Sequence, residues 1–435
     1  MSTSTAIGTP VKHKHPAGLP VLFFTEMWER FSFYCMLAIL SLYMNESLGF
    51  DTKTVGQIYG GYIALVYFSP LIGGLLADRW LGFRRAIFIG GIFMGVGHLL
   101  LAFPPLPTFF AGLCCLIIGN GLFKPNISVL LGNLYRDMPE KRDDAYNIFY
   151  MGINVGAFFA PIVASYLRNE FGWHYAFGAA GVGMMFSLLI FNIFRKHVIA
   201  GDVTAMQNAS TAGRNDIALT PQQERARINA LLLVFGVVIV FWMAFHQNGF
   251  TLTFWARDCT DTTWSPELFQ VINPAFVLLF TPLLVFFWTL LRKRNVEPST
   301  AAKIGIGMLL TAAAYSIMTM AGLAGGDTGR VGESWLVSAY AVITLGELCL
   351  SPMGLSLVNK VAPARMRGLL MGGWFAATAI GNYLCGFVGG WWDDMPHSKF
   401  FAILVFASLG AALLLFMVLK HIRPTIKEAE DAHLQ

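Results

Sequence analysis

The stretch Thr25-Glu26-Met27-Trp28-Glu29-Arg30-Phe31-Ser32-Phe33-Tyr34 lies inside an apolar run from Leu19 to Met44, long enough to cross a bilayer. Three charges fall within five residues of it. An ionised side chain at the bilayer centre costs about 2.5–3.5 kcal/mol on insertion scales. Glu26, Glu29 and Arg30 are spaced i, i+3, i+4 and share one helix face, which Tyr34 continues a turn later. That face is excluded from lipid and must look into a polar cavity between helices. An ion-pair cluster that only fixes packing is the weaker reading, because three buried charges cost too much for packing alone.

The whole chain has the composition that such a helix needs around it. Of 435 residues, 56% are hydrophobic and 13% charged, where a soluble chain carries about a quarter charged residues. This is a polytopic membrane protein. The net charge of +5 is too small to point to nucleic acid. No cleavable signal peptide is expected, since the leading residues are polar and basic and the next apolar run is too long and too charged. Cys35, Cys114, Cys115, Cys349 and Cys385 fall in apolar segments and Cys259 near a loop, without disulfide or metal-ligand spacing.

Twelve apolar segments of spanning length are predicted, at 17–45, 54–77, 85–104, 108–131, 143–168, 174–196, 228–254, 266–291, 300–324, 333–360, 365–391 and 398–420. The expected division is a six-helix bundle over 1–196, a polar cytoplasmic linker over 197–227, a second six-helix bundle over 228–421 and a cytoplasmic tail over 422–435. Thr220-Pro221-Gln222-Gln223-Glu224 reads as an N-cap, a first-turn proline and an acidic first turn, so the seventh helix starts before the membrane. Orientation follows from Lys and Arg. Arg30 and Lys124 lie inside the membrane, Lys53, Arg168, Arg257, Arg330 and Lys399 fall on one side, and the remaining 23 of 30 share the side of the termini. Both termini are therefore expected in the cytoplasm, in an inner membrane.

Two six-helix halves joined by a linker suggest alternating access, with a site between the halves near the midplane. The loop Gly73-Gly74-Leu75-Leu76-Ala77-Asp78-Arg79-Trp80-Leu81-Gly82-Phe83-Arg84-Arg85 resembles the signature of the major facilitator superfamily between its second and third helices. The glycines allow close helix contact, and Asp78 beside Arg79, Arg84 and Arg85 forms a candidate cytoplasmic gate. The blander alternative is a simple positive-inside anchor.

The first stretch is similar to the ExxER motif of the proton-dependent oligopeptide transporter family (POT/PTR), a branch of the major facilitators. Phe123-Lys124-Pro125-Asn126, Phe149-Tyr150-Met151-Gly152-Ile153-Asn154-Val155-Gly156 and Glu347-Leu348-Cys349-Leu350-Ser351-Pro352 resemble further motifs of that family, in the family's order. The resemblance covers nearly the whole chain.

The residues themselves support it. Lys124 is a lone cation in an apolar helix and is expected to pair with Glu26 or Glu29. Glu347 is the only acid deep in the second half, with Ser351 one turn away on its face. Arg30 and Lys124 against Glu347 make a dipolar cavity that suits a zwitterionic peptide, carboxylate toward the cations and amine toward Glu347. By resemblance, Tyr34, Tyr67 and Asn154 line the first half and Trp242, Asn273 and Trp374 the second; each aromatic is equally readable as an interface or packing residue. Pro125, Pro161, Pro274, Pro282 and Pro352 mark bends, for rocking or as static kinks.

The implied function is symport of a proton with a di- or tripeptide by alternating access. Glu26 and Glu29, paired with Arg30 and Lys124, are the expected proton-coupling set. The implied partners are a small peptide, protons and the lipid bilayer, with a monomer expected. No nucleic acid, metal or cofactor is called for beyond protons as the coupling ion.

Three departures from the family pattern stand out. The two extra helices common in bacterial members have no room in the linker. An arginine frequent one turn after Tyr34 is Leu37, and a glutamate frequent in helix seven is His246. Since those two residues often pair to close the outer gate, that gate must be held otherwise. His246 is either a second proton site or a neutral hydrogen-bonding residue, and His98 reads as structural. A non-peptide cargo, such as an amino-acid derivative, a drug or a small anion, is the alternative. An enzyme is not indicated, because no nucleophile–base or metal constellation is found.

Overall fold

The computed structural model describes residues 15–138, 141–203, 220–363 and 366–434. Most of the polar linker, at 204–219, lies outside the described residues, as do the first fourteen residues and the side chains of the charged tail.

The helices are α1 (Gly18–Leu42), α2 (Thr52–Leu76), α3 (Phe83–Leu101), α4 (Leu106–Leu134), α5 (Arg142–Phe171), α6 (Trp173–Ile193), α7 (Pro221–Phe245), α8 (Thr251–Asp258), α9 (Ile272–Lys293), α10 (Thr300–Ala324), α11 (Ser334–Val361), α12 (Arg367–Gly389) and α13 (His397–Leu434). They follow the predicted segments closely, with one departure. Segment 228–254 is two helices, α7 and α8, separated by a tight turn at His246–Gly249. Hydropathy runs on through that turn, which is why the break is invisible to it, although Gln247-Asn248-Gly249 is the local signal.

Ten helical spans among the described residues are long and apolar enough to cross a membrane by length and composition. The two remaining long helices are α1 and α12. Three charges in α1 and six glycines in α12 lower their apolar character. The 18 residues between Gly201 and Thr220 are too few for two further spanning helices.

Local chemistry sets the helix starts. Thr220 caps α7 in a reciprocal capping box with Gln223, as the Thr-Pro-Gln-Gln-Glu run predicts. Asp51 and Ser299 cap α2 and α10. The turn before α3 passes through Gly82 at φ 75°, a left-handed conformation that favours glycine.

Helices α1, α5 and α6 pack together, and α3 packs on α4 and on α6; in the second half α10 packs on α11 and α13, and α7 on α12. The halves meet chiefly through α2 on α12 and α5 on α9. The start of α1 defines the terminal face, and its end at Leu42 the far face. A two-residue parallel pairing, Thr260–Asp261 with Val331–Gly332, closes the far side of the second half.

Candidate functional site

Between the halves lies a cavity of about 290 Å³. Arg30, Tyr34, Tyr67, Lys124 and Asn154 line it from the first half, and Trp242, His246, Asn273, Glu347, Ser351 and Trp374 from the second. These are the residues that the motifs single out, apart from Glu26 and Glu29, which stand behind Arg30. Glu26, Glu29 and Arg30 are all buried.

The Arg30 guanidinium grips Glu29 through Nε and Nη2, while its Nε lies 3.4 Å from Glu26 Oε1. Its Nη2 also donates to Asn120 Oδ1 at 3.3 Å. Asn120 in turn donates to the Val66 carbonyl at 2.8 Å, which ties the charge cluster on α1 to α2 and α4. Asn120 is a site residue that the motif reading passes over; its signal is an amide between two glycines in an apolar helix.

Lys124 departs from expectation. Among the described residues it forms no hydrogen bond or ion pair with Glu26 or Glu29. Its ammonium sits 4.6 Å from the centre of the Tyr67 ring, facing the cavity. Arg30 already takes both carboxylates, so the flexible lysine turns to the aromatic face.

On the opposite wall Asn273 Nδ2 donates to Glu347 Oε2 at 2.9 Å and to Thr344 Oγ1 at 3.0 Å. This orients the Glu347 carboxylate from a neighbouring helix and leaves its other oxygen for a cation. Asn154 donates to the Tyr150 carbonyl of its own helix at 3.0 Å. His246 stacks on Trp242 at 5.4 Å and meets Tyr67 edge-on at 5.8 Å. His98 is buried in α3 against α6, away from the cavity.

The far face is where the halves are tied together. Arg168 bridges Glu267 and Glu46, both at 2.7 Å. Arg257 contacts Glu46 at 3.3 Å and Asn45 at 2.8 Å, and Asn169 donates to Ser265 at 2.6 Å. Ser41 Oγ donates to the Gly249 carbonyl at 2.8 Å, catching a backbone group freed by the α7–α8 break. Glycines bring the backbones together there: a Cβ on Gly386 would lie 1.9 Å from the Gly56 carbonyl oxygen. These contacts stand where Leu37 and His246 offer no ion pair.

On the terminal face the Arg84 backbone N–H donates to Asp202 Oδ1 at 3.2 Å, and the guanidinium forms an ion pair with Oδ2 at 3.9 Å. Asp202 lies in the linker after α6, so this contact ties the expected gate loop to the linker and not to the second half. Asp78 and Arg79 sit in the helical turn that ends α2, and Arg85 opens α3.

The chain is similar to known carriers over most of its length. The model of the POT family matches residues 84–207 and 200–403. The peptide transporter YePEPT of Yersinia enterocolitica subsp. palearctica is 35% identical, over 86% of this chain and 88% of that protein. A di-/tripeptide transporter of Lactococcus lactis subsp. cremoris is 33% identical, over 94% of this chain and 96% of that one. A crystal structure of a POT family transporter in complex with 5-aminolevulinic acid superposes with TM-score 0.86 at 28% identity, covering 94% and 97% of the two chains. This protein belongs to the POT family of transporters.

Proposed function

We propose that the protein is a proton-coupled symporter that imports di- and tripeptides across the inner membrane, with both termini in the cytoplasm. One observation carries the reading: a single cavity has Arg30 and Lys124 on one wall and Glu347 on the other. A zwitterion of dipeptide length satisfies both walls. Its carboxylate meets the guanidinium and the ammonium, and its amine meets the Glu347 oxygen that Asn273 leaves unused. The names of the relatives, peptide and di-/tripeptide transporters, support the same cargo.

The coupling follows from the crowding of Arg30. Two carboxylates share one guanidinium. A proton on Glu26 or Glu29 removes one competitor, so Arg30 turns more readily to a substrate carboxylate. Proton and peptide then favour each other's binding, which is what symport requires. The far-face ties among Arg168, Glu267, Glu46 and Arg257 suit a state closed to the outside. Outward opening must break them, and a membrane potential contributes about 2.3 kcal/mol per charge per 100 mV to the cycle.

Uptake of labelled dialanine into proteoliposomes tests the reading. An inward proton gradient is expected to drive accumulation that a protonophore abolishes. Failure of wild-type protein to accumulate dialanine, in vesicles that hold the gradient, would overturn the peptide assignment.

A further inference from the structure

Two side chains that line the cavity each carry a buried nitrogen with no hydrogen-bond partner among the described residues, Trp242 Nε1 and His246 Nε2. They are neighbours, one turn apart at the end of α7, and their rings stack at 5.4 Å and 26°. Native interiors pair nearly all of their buried polar groups, and an unpaired one needs an explanation. Two side by side, on the wall of a cavity that takes a polar cargo, point to the cargo.

The chemistry of the pair is specific. Indole offers a donor and no acceptor, while neutral imidazole offers one of each. At the two unpaired nitrogens, with the imidazole proton on Nδ1, the pair presents one donor and one acceptor, the complement of an amide C=O and N–H. Their position matches as well. Both rings pack on Tyr67, at 6.4 Å and 5.8 Å, and the Lys124 ammonium also lies over the Tyr67 ring, at 4.6 Å. The pair therefore adjoins the end of the cavity that takes the carboxylate, with Glu347 on the same half. In a dipeptide the main-chain amide lies between carboxylate and amine. The rings are also held in place: Phe241 and Phe245 pack edge-on against Trp242, and a Cβ on Gly381 of α12 would lie 2.9 Å from the Trp242 Cβ. A hydrogen-bonding pair fixed in this way loses little freedom when it binds.

We propose that Trp242 and His246 form a clip for the main-chain amide of the bound peptide, the indole N–H donating to the carbonyl oxygen and His246 Nε2 accepting from the N–H. The clip rests on the peptide reading of the cavity and adds to it a pair of specificity-determining residues. It makes the protein a reader of the peptide bond as well as of the two charged ends.

Three cargoes with the same ends and the same chain length separate the two bonds. Glycylglycine has both C=O and N–H, 5-aminolevulinate keeps the C=O alone, and 5-aminopentanoate has neither. Their inhibition constants against labelled dialanine uptake are measured for wild type, Trp242→Phe and His246→Phe, the last keeping an aromatic ring on Trp242. Wild type should rank glycylglycine above 5-aminolevulinate above 5-aminopentanoate. His246→Phe should weaken glycylglycine roughly tenfold, about the worth of one hydrogen bond, and leave the other two unchanged. Trp242→Phe should weaken glycylglycine and 5-aminolevulinate by a similar factor and spare 5-aminopentanoate. Equal losses for all three cargoes, or no loss, would overturn the clip while leaving the peptide assignment standing. Should a variant fail to fold, a wild type that binds all three equally overturns the clip by itself. Absence of dialanine uptake by wild type would instead remove the peptide assignment on which the clip rests.

Discussion

The Arg168 guanidinium donates to Glu267 across the two halves at 2.7 Å, and the Glu267 carboxylate is fully enclosed. Arg168 ends α5 of the first half, and Glu267 sits in the turn that leads into α9 of the second. Its other nitrogen reaches Glu46 beyond the end of α1. Removing one partner of a buried pair strands the other charge, at a cost of about 3–5 kcal/mol; removing both does not. Arg168→Gln should therefore shift the protein toward the state open at the far face. Adding Glu267→Gln should restore much of the closed population. Electron-paramagnetic distances between labels at Asp51→Cys and Asp261→Cys read this directly: longer in the single variant, shorter again in the double. Identical distances in all three proteins would show that the pair does not hold the closed state.

Gly386→Ala should oppose the same closed state by sterics. The new methyl would lie 1.9 Å from the Gly56 carbonyl oxygen and 2.8 Å from Gly60 Cα, both backbone atoms that no rotamer can move. Helices α2 and α12 must separate to admit it. Dialanine uptake should fall by more than tenfold, on the scale of about 1–3 kcal/mol for overpacking. Gly368→Ala on the same helix meets nothing within 4 Å and should transport normally. Normal uptake by Gly386→Ala would show that the two helices need not approach this closely.

Between α9 and α10, Glu297 accepts from Arg292 Nε and from Lys303 Nζ, both at 2.6 Å. The Arg292 hydrogen bond, then the Lys303 one, hold its carboxyl down at about 2. A carboxyl depressed below its unfolded value of about 4.3 stabilises the fold above that pH and loses the contribution as pH falls toward about 2. Glu297→Gln should melt below wild type at pH 7, by no more than about 1 kcal/mol because the loop is partly exposed. The gap should narrow between pH 4.5 and pH 3. A gap that stays constant over that window would place the effect in packing.

Most of the architecture is legible in the chain because hydropathy and charge report spanning segments directly. The predicted segments fall where the helices are, apart from 228–254, which is split in two, and Thr220 caps its helix as expected. The cavity residues are legible for a related reason: a charge in a spanning helix must find a polar neighbour, so Arg30, Lys124 and Glu347 converge. What stays hidden is partnership. Nothing in spacing tells that Arg30 takes both glutamates and leaves Lys124 to Tyr67, since a long flexible side chain chooses among neighbours that only the fold supplies. Arg168, Arg257, Glu46 and Glu267 read as ordinary loop charges, because their pairing joins helices more than 90 residues apart in sequence. Asn120 is hidden by the apolar run around it.

The central claim is that Glu347 takes the amine of a peptide whose carboxylate lies on Arg30 and Lys124. Gradient-driven uptake of dialanine into proteoliposomes, with N-acetyl-dialanine as competitor, tests it most directly in wild type and Glu347→Gln. Wild type should take dialanine and be inhibited at least tenfold less well by the acetylated peptide, since a charge-assisted hydrogen bond is worth about 1.5–3 kcal/mol. Glu347→Gln should lose most dialanine uptake and treat the two peptides alike. Unchanged dialanine uptake by Glu347→Gln, with the preference for the free amine intact, would contradict the account.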